Sequence, residues 1–159
     1  MEDLLKLLEQ NALHSPETLA KLLKRTPEDV SRQIRQLEDD KVILAYKAIV
    51  DGDKANRTTV KAVIEVKITP ERGGGFNRLA ERIAKYDEVK SCFLMSGGYD
   101  LLVFIEGRTL KDVASFVSEK LATIQGVLST ATHFMLKSYK EQGVLIGHDG
   151  EEERLKVSP

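Results

Sequence analysis

A single cysteine, Cys92, stands in the 159-residue chain, so neither an intrachain disulfide nor a multi-cysteine metal site is open to it. Its neighbours Phe93, Leu94 and Met95 make it a small buried hydrophobe rather than a reactive thiol. No apolar run approaches the roughly 20 residues of a membrane span. Met1 to Asn11 alternates charge with leucine, unlike a signal peptide. The sequence therefore reads as cytosolic, with no membrane partner. An excess of charge is also missing: 24 Lys and Arg face 25 Asp and Glu, a balance that favours nucleic acid over no other partner. Residues 1 to 57 are just as even, with ten basic side chains against eleven acidic ones. Catalytic constellations are lacking too. His14, His133 and His148 are far apart, and none stands in a metal or nucleophile motif. His133, beside Phe134 in a strand pattern, is expected to pack against a sheet. Gly73, Gly74 and Gly75 precede a helical pattern, but no Lys-Ser/Thr pair follows and no GxGxxG spacing occurs. They read as a flexible loop. Neither an enzyme nor a resident cofactor or metal is indicated.

What is present is a hydrophobic content of 42%, enough to bury a core, and its spacing changes along the chain. From Glu2 to Gln10, Leu4, Leu5 and Leu8 form a helical stripe. After a break at Asn11 to His14, Ser15 reads as an N-cap with Pro16 at the first helical position, followed by Leu19, Leu22 and Leu23. Thr26, Pro27, Glu28 and Asp29 repeat that start signal, so a third helix is expected from Thr26 to Asp40. Val30, Ile34 and Leu37 give it a buried face, leaving Ser31, Arg32, Gln33, Arg35 and Gln36 outward or on the flanks. Val42 to Val50 is rich in β-branched and aromatic residues and suits a short wing or strand, ended by the turn residues Asp51, Gly52 and Asp53.

Beyond a linker at 51–59 the pattern alternates strand and helix twice. The first unit is strand Val60 to Ile68, helix Phe76 to Tyr86 and strand Val89 to Met95. The second is strand Asp100 to Glu106, helix Leu110 to Ile124 and strand Val127 to Lys137. A β-α-β-β-α-β order implies a ferredoxin-like sheet with both helices on one face and the other face open to a partner. The whole is an α+β chain: a winged helix-turn-helix at 1–50, the linker, a ferredoxin-like domain at 60–146, and an acidic tail at 147–159.

A helix-turn-helix reads double-stranded DNA by laying its second helix in the major groove. Arginine donates two bonds to guanine, glutamine pairs with adenine, and small hydroxyls hold phosphate. Arg25, Thr26, Ser31, Arg32, Gln33, Arg35 and Gln36 are the candidates. The same pattern also fits a solvated amphipathic helix in an ordinary bundle. In the second domain, Ser96, Gly97 and Gly98 offer unhindered amides to a carboxylate and Asp100 offers a partner to an ammonium, which together suit an amino acid. A plain hairpin turn capped by Asp100 fits those residues equally.

Leu19, Ala20, Lys21, the Thr26 and Pro27 pair, Val30, Arg32, Ile34, Arg35, Leu37 and Glu38, then Val42, Ile43 and Tyr46, resemble the DNA-binding head of the Lrp/AsnC, or feast/famine, transcriptional regulators. Gly98, Tyr99, Asp100, Leu101 and Leu102 resemble the glycine-aspartate turn of that family's effector domain. Gly126 and Val127, followed by Thr130 and Thr132, resemble the start of its last strand. The likeness spans most of residues 1 to 146. It implies homodimers formed through the effector-domain sheets, assembling further to tetramers or octamers. It also implies an amino-acid effector bound between dimers, near Ser96, Gly97, Gly98, Tyr99, Asp100, Thr130 and Thr132. The chain departs from the family at Lys24 and Arg25, where the turn usually has glycine and a hydrophobe, and at Lys41, where a helix-ending glycine is usual. Glu28 and Asp29, at the DNA-facing end of the helix, repel phosphate. A metabolite-sensing interaction module with weakened or lost DNA binding is the alternative they motivate.

Overall fold

The computed structural model describes residues 1–70 and 75–147. Gly73, Gly74, His148 and the acidic tail from 148 onward lie outside the described residues. The chain forms two compact units, Met1–Ala48 and a second that begins at Ile49.

Three helices build the first unit: α1 (Glu2–Gln10), α2 (Pro16–Leu23) and α3 (Pro27–Asp39). Ser15 and Thr26 cap α2 and α3 as their sequence signals require, each hydroxyl accepting from the amide three residues on, with proline at the first helical position. Leu4, Leu8, Leu19, Ala20, Val30 and Leu37 form the buried centre, with Leu5, Leu23, Ile34 and Ile43 packed around it. Both α2 and α3 end in a Schellman motif with a left-handed lysine. Lys24 has φ 53°, its amide bonds Lys21 O and the Arg25 amide bonds Ala20 O. Lys41 has φ 58°, with Val42 N donating to Leu37 O at 2.9 Å.

The expected wing is corrected. Residues 44–50 pair with no strand among the described residues, and Val42, Leu44, Tyr46, Ile49 and Val50 are exposed. Their β propensity goes unused because a strand gains its ladder only from a neighbour, and the three-helix unit offers none. Tyr46 is tied back to α3 by its hydroxyl, which donates to Glu38 Oε1 at 2.9 Å. Burial and the Glu38 carboxylate raise that phenol above its ordinary pKa.

The second unit opens on a compact turn in which Asp51 Oδ1 accepts from the amides of Asp53 and Lys54. Its elements are β1 (Val60–Ile68), α4 (Asn77–Ala84), β2 (Val89–Leu94), β3 (Leu101–Gly107), α5 (Leu110–Ser115) and β4 (Val127–Phe134). The four strands pair antiparallel in the order β2-β3-β1-β4, the ferredoxin-like arrangement. Alternation along β1 sends Ala62, Ile64, Val66 and Ile68 into a core with Leu79, Ile83, Leu101, Val103, Ile105, Val113, Phe116 and Leu121. Val63, Glu65 and Lys67 take the other face.

Two details depart from the sequence expectation. The second long helix changes after Ser115 into a π-helical turn over Phe116–Leu121. Ordinary helical spacing aligns Val117 with Leu121. The wider turn, bonding five residues back, instead lets Phe116 sit deep beside Leu121 while Val117 is only half-buried. The last strand also stops at Phe134 rather than Lys137. A small hairpin follows, β5 (Lys140–Glu141) and β6 (Val144–Leu145), turning on Gln142 and Gly143, both at positive φ.

Candidate functional site

Val30 and Leu37, buried, and Ile34, half-buried beside them, fix the orientation of α3. At about 3.6 residues per turn, the opposite side carries Glu28, Arg32, Arg35, Gln36 and Asp39, all exposed. Ser31 and Gln33 stand half-buried on the flanks, and Thr26 is committed to capping. The polar groups form short local links. The Arg25 guanidinium donates from Nη1 to Gln33 Oε1 across the turn, and Arg32 pairs with Asp29 through Nη2 and Oδ1. Gln36 Nε2 donates to Asp40 Oδ2 at 2.9 Å. The structure therefore gathers Arg25, Arg32, Gln33, Arg35 and Gln36 around the exposed side of one helix, with Thr26 and Ser31 at its start and shoulder. The pairing of Arg32 with Asp29 and of Gln36 with Asp40 was not read from the sequence, although their three- and four-residue spacings are the signal that reveals them.

At one end of the sheet, β2 and β3 are joined by residues 95–100. Met95 N donates to Asp100 O at 2.8 Å, and Asp100 N donates to Val66 O at 3.0 Å. The Asp100 carboxylate accepts from the Ile68 amide at 2.8 Å, tying the turn to the end of β1. Asp100 is thus a backbone anchor through Oδ2. Ser96, Gly97 and Gly98 are exposed, with Gly97 at φ 121°, a conformation that disfavours side chains. Tyr99 is half-buried. Thr130 lies across Val66 from Leu101, and Thr132 across Ile64 from Val103. Both threonines are half-buried and share the helix-covered side of the sheet. The turn and Thr130 thus meet at the same end of the sheet, with Thr132 two residues further in.

Ser96, Gly97 and Gly98 stand open to solvent among the described residues. One cleft, of about 120 Å³, runs between the turn at 50–57 and the C-terminal hairpin. Another, of about 410 Å³, lies between the end of β3 and the π-helical turn. Neither is lined by any residue from Ser96 to Asp100.

The open face of the sheet carries Val63, Leu102 and Phe104 with Phe93, whose ring meets that of Phe104 edge-on at 6.1 Å between centroids. His133 lies on this face, its side chain 60% exposed and 3.7 Å from Glu65 Oε1. The expectation that it packs against the sheet is therefore corrected: alternation along β4 turns it away from the helices. Among the described residues no group of His, Cys, Asp and Glu is placed to hold a metal ion. No helix there is long and apolar enough to cross a membrane.

The model of the Lrp/AsnC ligand binding domain matches residues 61–145. Over 158 residues the chain is 44% identical to the uncharacterized HTH-type transcriptional regulator YugG of Bacillus subtilis, covering 99% of this chain and 95% of that one. It is 26% identical over 138 residues to the HTH-type transcriptional regulator FL11 of Pyrococcus horikoshii, covering 87% of this chain and 88% of that one. Among solved structures it is similar to the transcriptional regulator NMB0573 of Neisseria meningitidis in complex with L-Met. The TM-score is 0.67 at 26% identity, over 87% of this chain and 88% of that one. AsnC of Escherichia coli, at 18% identity and a TM-score of 0.66 over 87% of this chain and 91% of that one, shares the fold. A near full-length likeness to helix-turn-helix regulators, joined to the ligand-domain match, makes this chain a regulator rather than an enzyme: it belongs to the Lrp/AsnC family of transcriptional regulators.

Proposed function

We propose that this transcriptional regulator reads DNA with α3 and answers to an amino acid bound at the turn from Ser96 to Asp100. Arg25, Arg32, Gln33, Arg35 and Gln36 serve as the DNA-facing groups, and Thr26 and Ser31 stand where phosphate contacts start. The effector's carboxylate meets the amides of Ser96, Gly97 and Gly98, and its ammonium meets the free oxygen of Asp100, with Thr130 and Thr132 beside it. The observation that carries this reading is the turn itself: exposed, unhindered backbone at Ser96, Gly97 and Gly98 beside the half-buried carboxylate of Asp100, which one backbone amide already engages. A related regulator binds L-Met. Neither of the two clefts described above includes the turn, and in this reading a second copy supplies the surface that closes over it. The apolar open face around Phe93 and Phe104 supports a dimer built sheet to sheet, and dimers then assemble so that turns meet.

A thermal-shift screen over the amino acids tests the effector claim, because a ligand that prefers the folded state raises its melting temperature. At least one amino acid should stabilise the protein. Asp100→Ala, compared with its own unliganded melting temperature, should lose that shift. No response to any amino acid removes the effector from the account.

A further inference from the structure

On α3 the acidic residues near the helix start look counterproductive for binding a polyanion, since Glu28 and Asp29 both add repulsion. Asp29 is different from its neighbour. Thr26 Oγ1 accepts from its amide, which fixes its backbone in the first turn, and its carboxylate lies against the Arg32 guanidinium. Arg32 stands diametrically opposite the core-facing Val30, Ile34 and Leu37, and its side chain is 77% exposed. Its neighbour on the same surface, Arg35, has no hydrogen bond or ion pair among the described residues. Of these two exposed arginines, Arg32 is therefore paired with a carboxylate whose backbone is fixed by the helix cap, and Arg35 is not.

That difference has a chemical consequence. Arginine has large rotamer freedom, much of it lost when the fork docks on a base edge. A carboxylate that already directs the guanidinium reduces that loss. Only Nη2 is engaged by Asp29, and a guanidinium has about five N–H donors, so a pair remains for a bidentate acceptor. In the major groove the matching edge is O6 and N7 of guanine. A phosphate needs no such fixed fork, and the carboxylate repels phosphate whatever the base sequence.

We infer that Asp29 is a positioning residue that gives up general DNA affinity to hold Arg32 as a preset fork for one guanine in each half-site, while Arg35 contacts phosphate. The inference rests on α3 being the DNA-reading helix.

The test is competition binding of the full-length protein. It uses a duplex selected from a random pool, the same duplex with each base pair replaced in turn, and a random duplex. In the unaltered protein, replacing one G·C pair should weaken binding about tenfold or more. Arg32→Ala should make that position indifferent. Asp29→Ala should bind random duplex several-fold more tightly yet lose most of the discrimination at the same position and no other. Asp29→Asn, which keeps an acceptor without the charge, should recover part of it. Arg35→Ala should weaken selected and random duplexes by the same factor. If Asp29→Ala raises both affinities equally and leaves every position as selective as before, Asp29 is only repulsive and the inference is overturned while the DNA-reading role of α3 stands. If the unaltered protein prefers no duplex, both fall together.

Discussion

Lys24 and Lys41 each hold a left-handed backbone that glycine would accept without strain. Their positive charge at helix C-termini returns part of that cost through the helix dipole. Both departures from the family pattern were legible as residue identities, because a Schellman turn demands the left-handed position whichever residue fills it. Lys24→Gly should therefore stabilise the first unit by about 1 kcal/mol, the usual cost of a left-handed side chain. A higher urea midpoint at unchanged slope would show it; an unchanged or lower midpoint would mean that the lysine is compensated. Asp100 shows the opposite case. Its type and its place after two glycines were visible, but the Ile68 amide it serves lies 32 residues away in sequence. Only the pairing of β1 with β3 brings them together.

At the level of elements, the caps and periodicities carried the most information. Glu2–Gln10, Val60–Ile68 and the capped α3 follow their sequence signals closely because each signal is local: a hydroxyl, a proline, a stripe or an alternation. Partner-dependent features were not legible. The segment 42–50 has the composition of a strand without a strand to pair with, and the π-helical turn depends on how Phe116 and Leu121 share the core rather than on local preference. That turn also places Lys120 against the end of the α4–β2 connection. Its ammonium bonds the Glu88 carboxylate and lies 5.8 Å from the Tyr86 ring centre and 5.9 Å from that of Phe116. The hydrogen bond from Lys120 holds Glu88 below its ordinary pKa, and the bond to Glu88 raises Lys120 above its own. A depressed carboxyl contributes stability that is complete above the unfolded pKa of 4.5 and is lost as pH falls through the lower folded value. A raised ammonium contributes below the unfolded value of 10.5, and that share is lost as pH rises through its folded value. Urea midpoints measured from pH 3 to 7 should thus fall less steeply on the acid side for Glu88→Gln than for the unaltered protein, within about one to two units of the carboxyl titration. Parallel acid limbs would show that the pair does not link the two elements.

For the whole molecule, the proposed function is divided between the two compact units, DNA reading in the first and effector binding in the second. The fold class was legible because the order of strands and helices admits few right-handed, unknotted arrangements. The site was legible only in part. The residues of α3 and of the turn from Ser96 to Asp100 stand out by type, whereas the surfaces proposed to complete an effector site from another copy leave no local signal in one sequence. With α3 as the proposed reading helix, an evenly charged chain with carboxylates on that helix would gain affinity by placing several copies along one duplex, and selectivity from directed side chains rather than from bulk charge.

The central claim is tested most directly by a salt-titrated competition between the DNA upstream of the protein's own gene and random duplex, using the oligomeric protein with and without the amino acid that stabilises it. The account predicts tighter binding to the upstream DNA, with affinity falling as salt rises and a change in affinity when the amino acid is added. Equal affinity for the two duplexes at every salt concentration, with or without the amino acid, would contradict it.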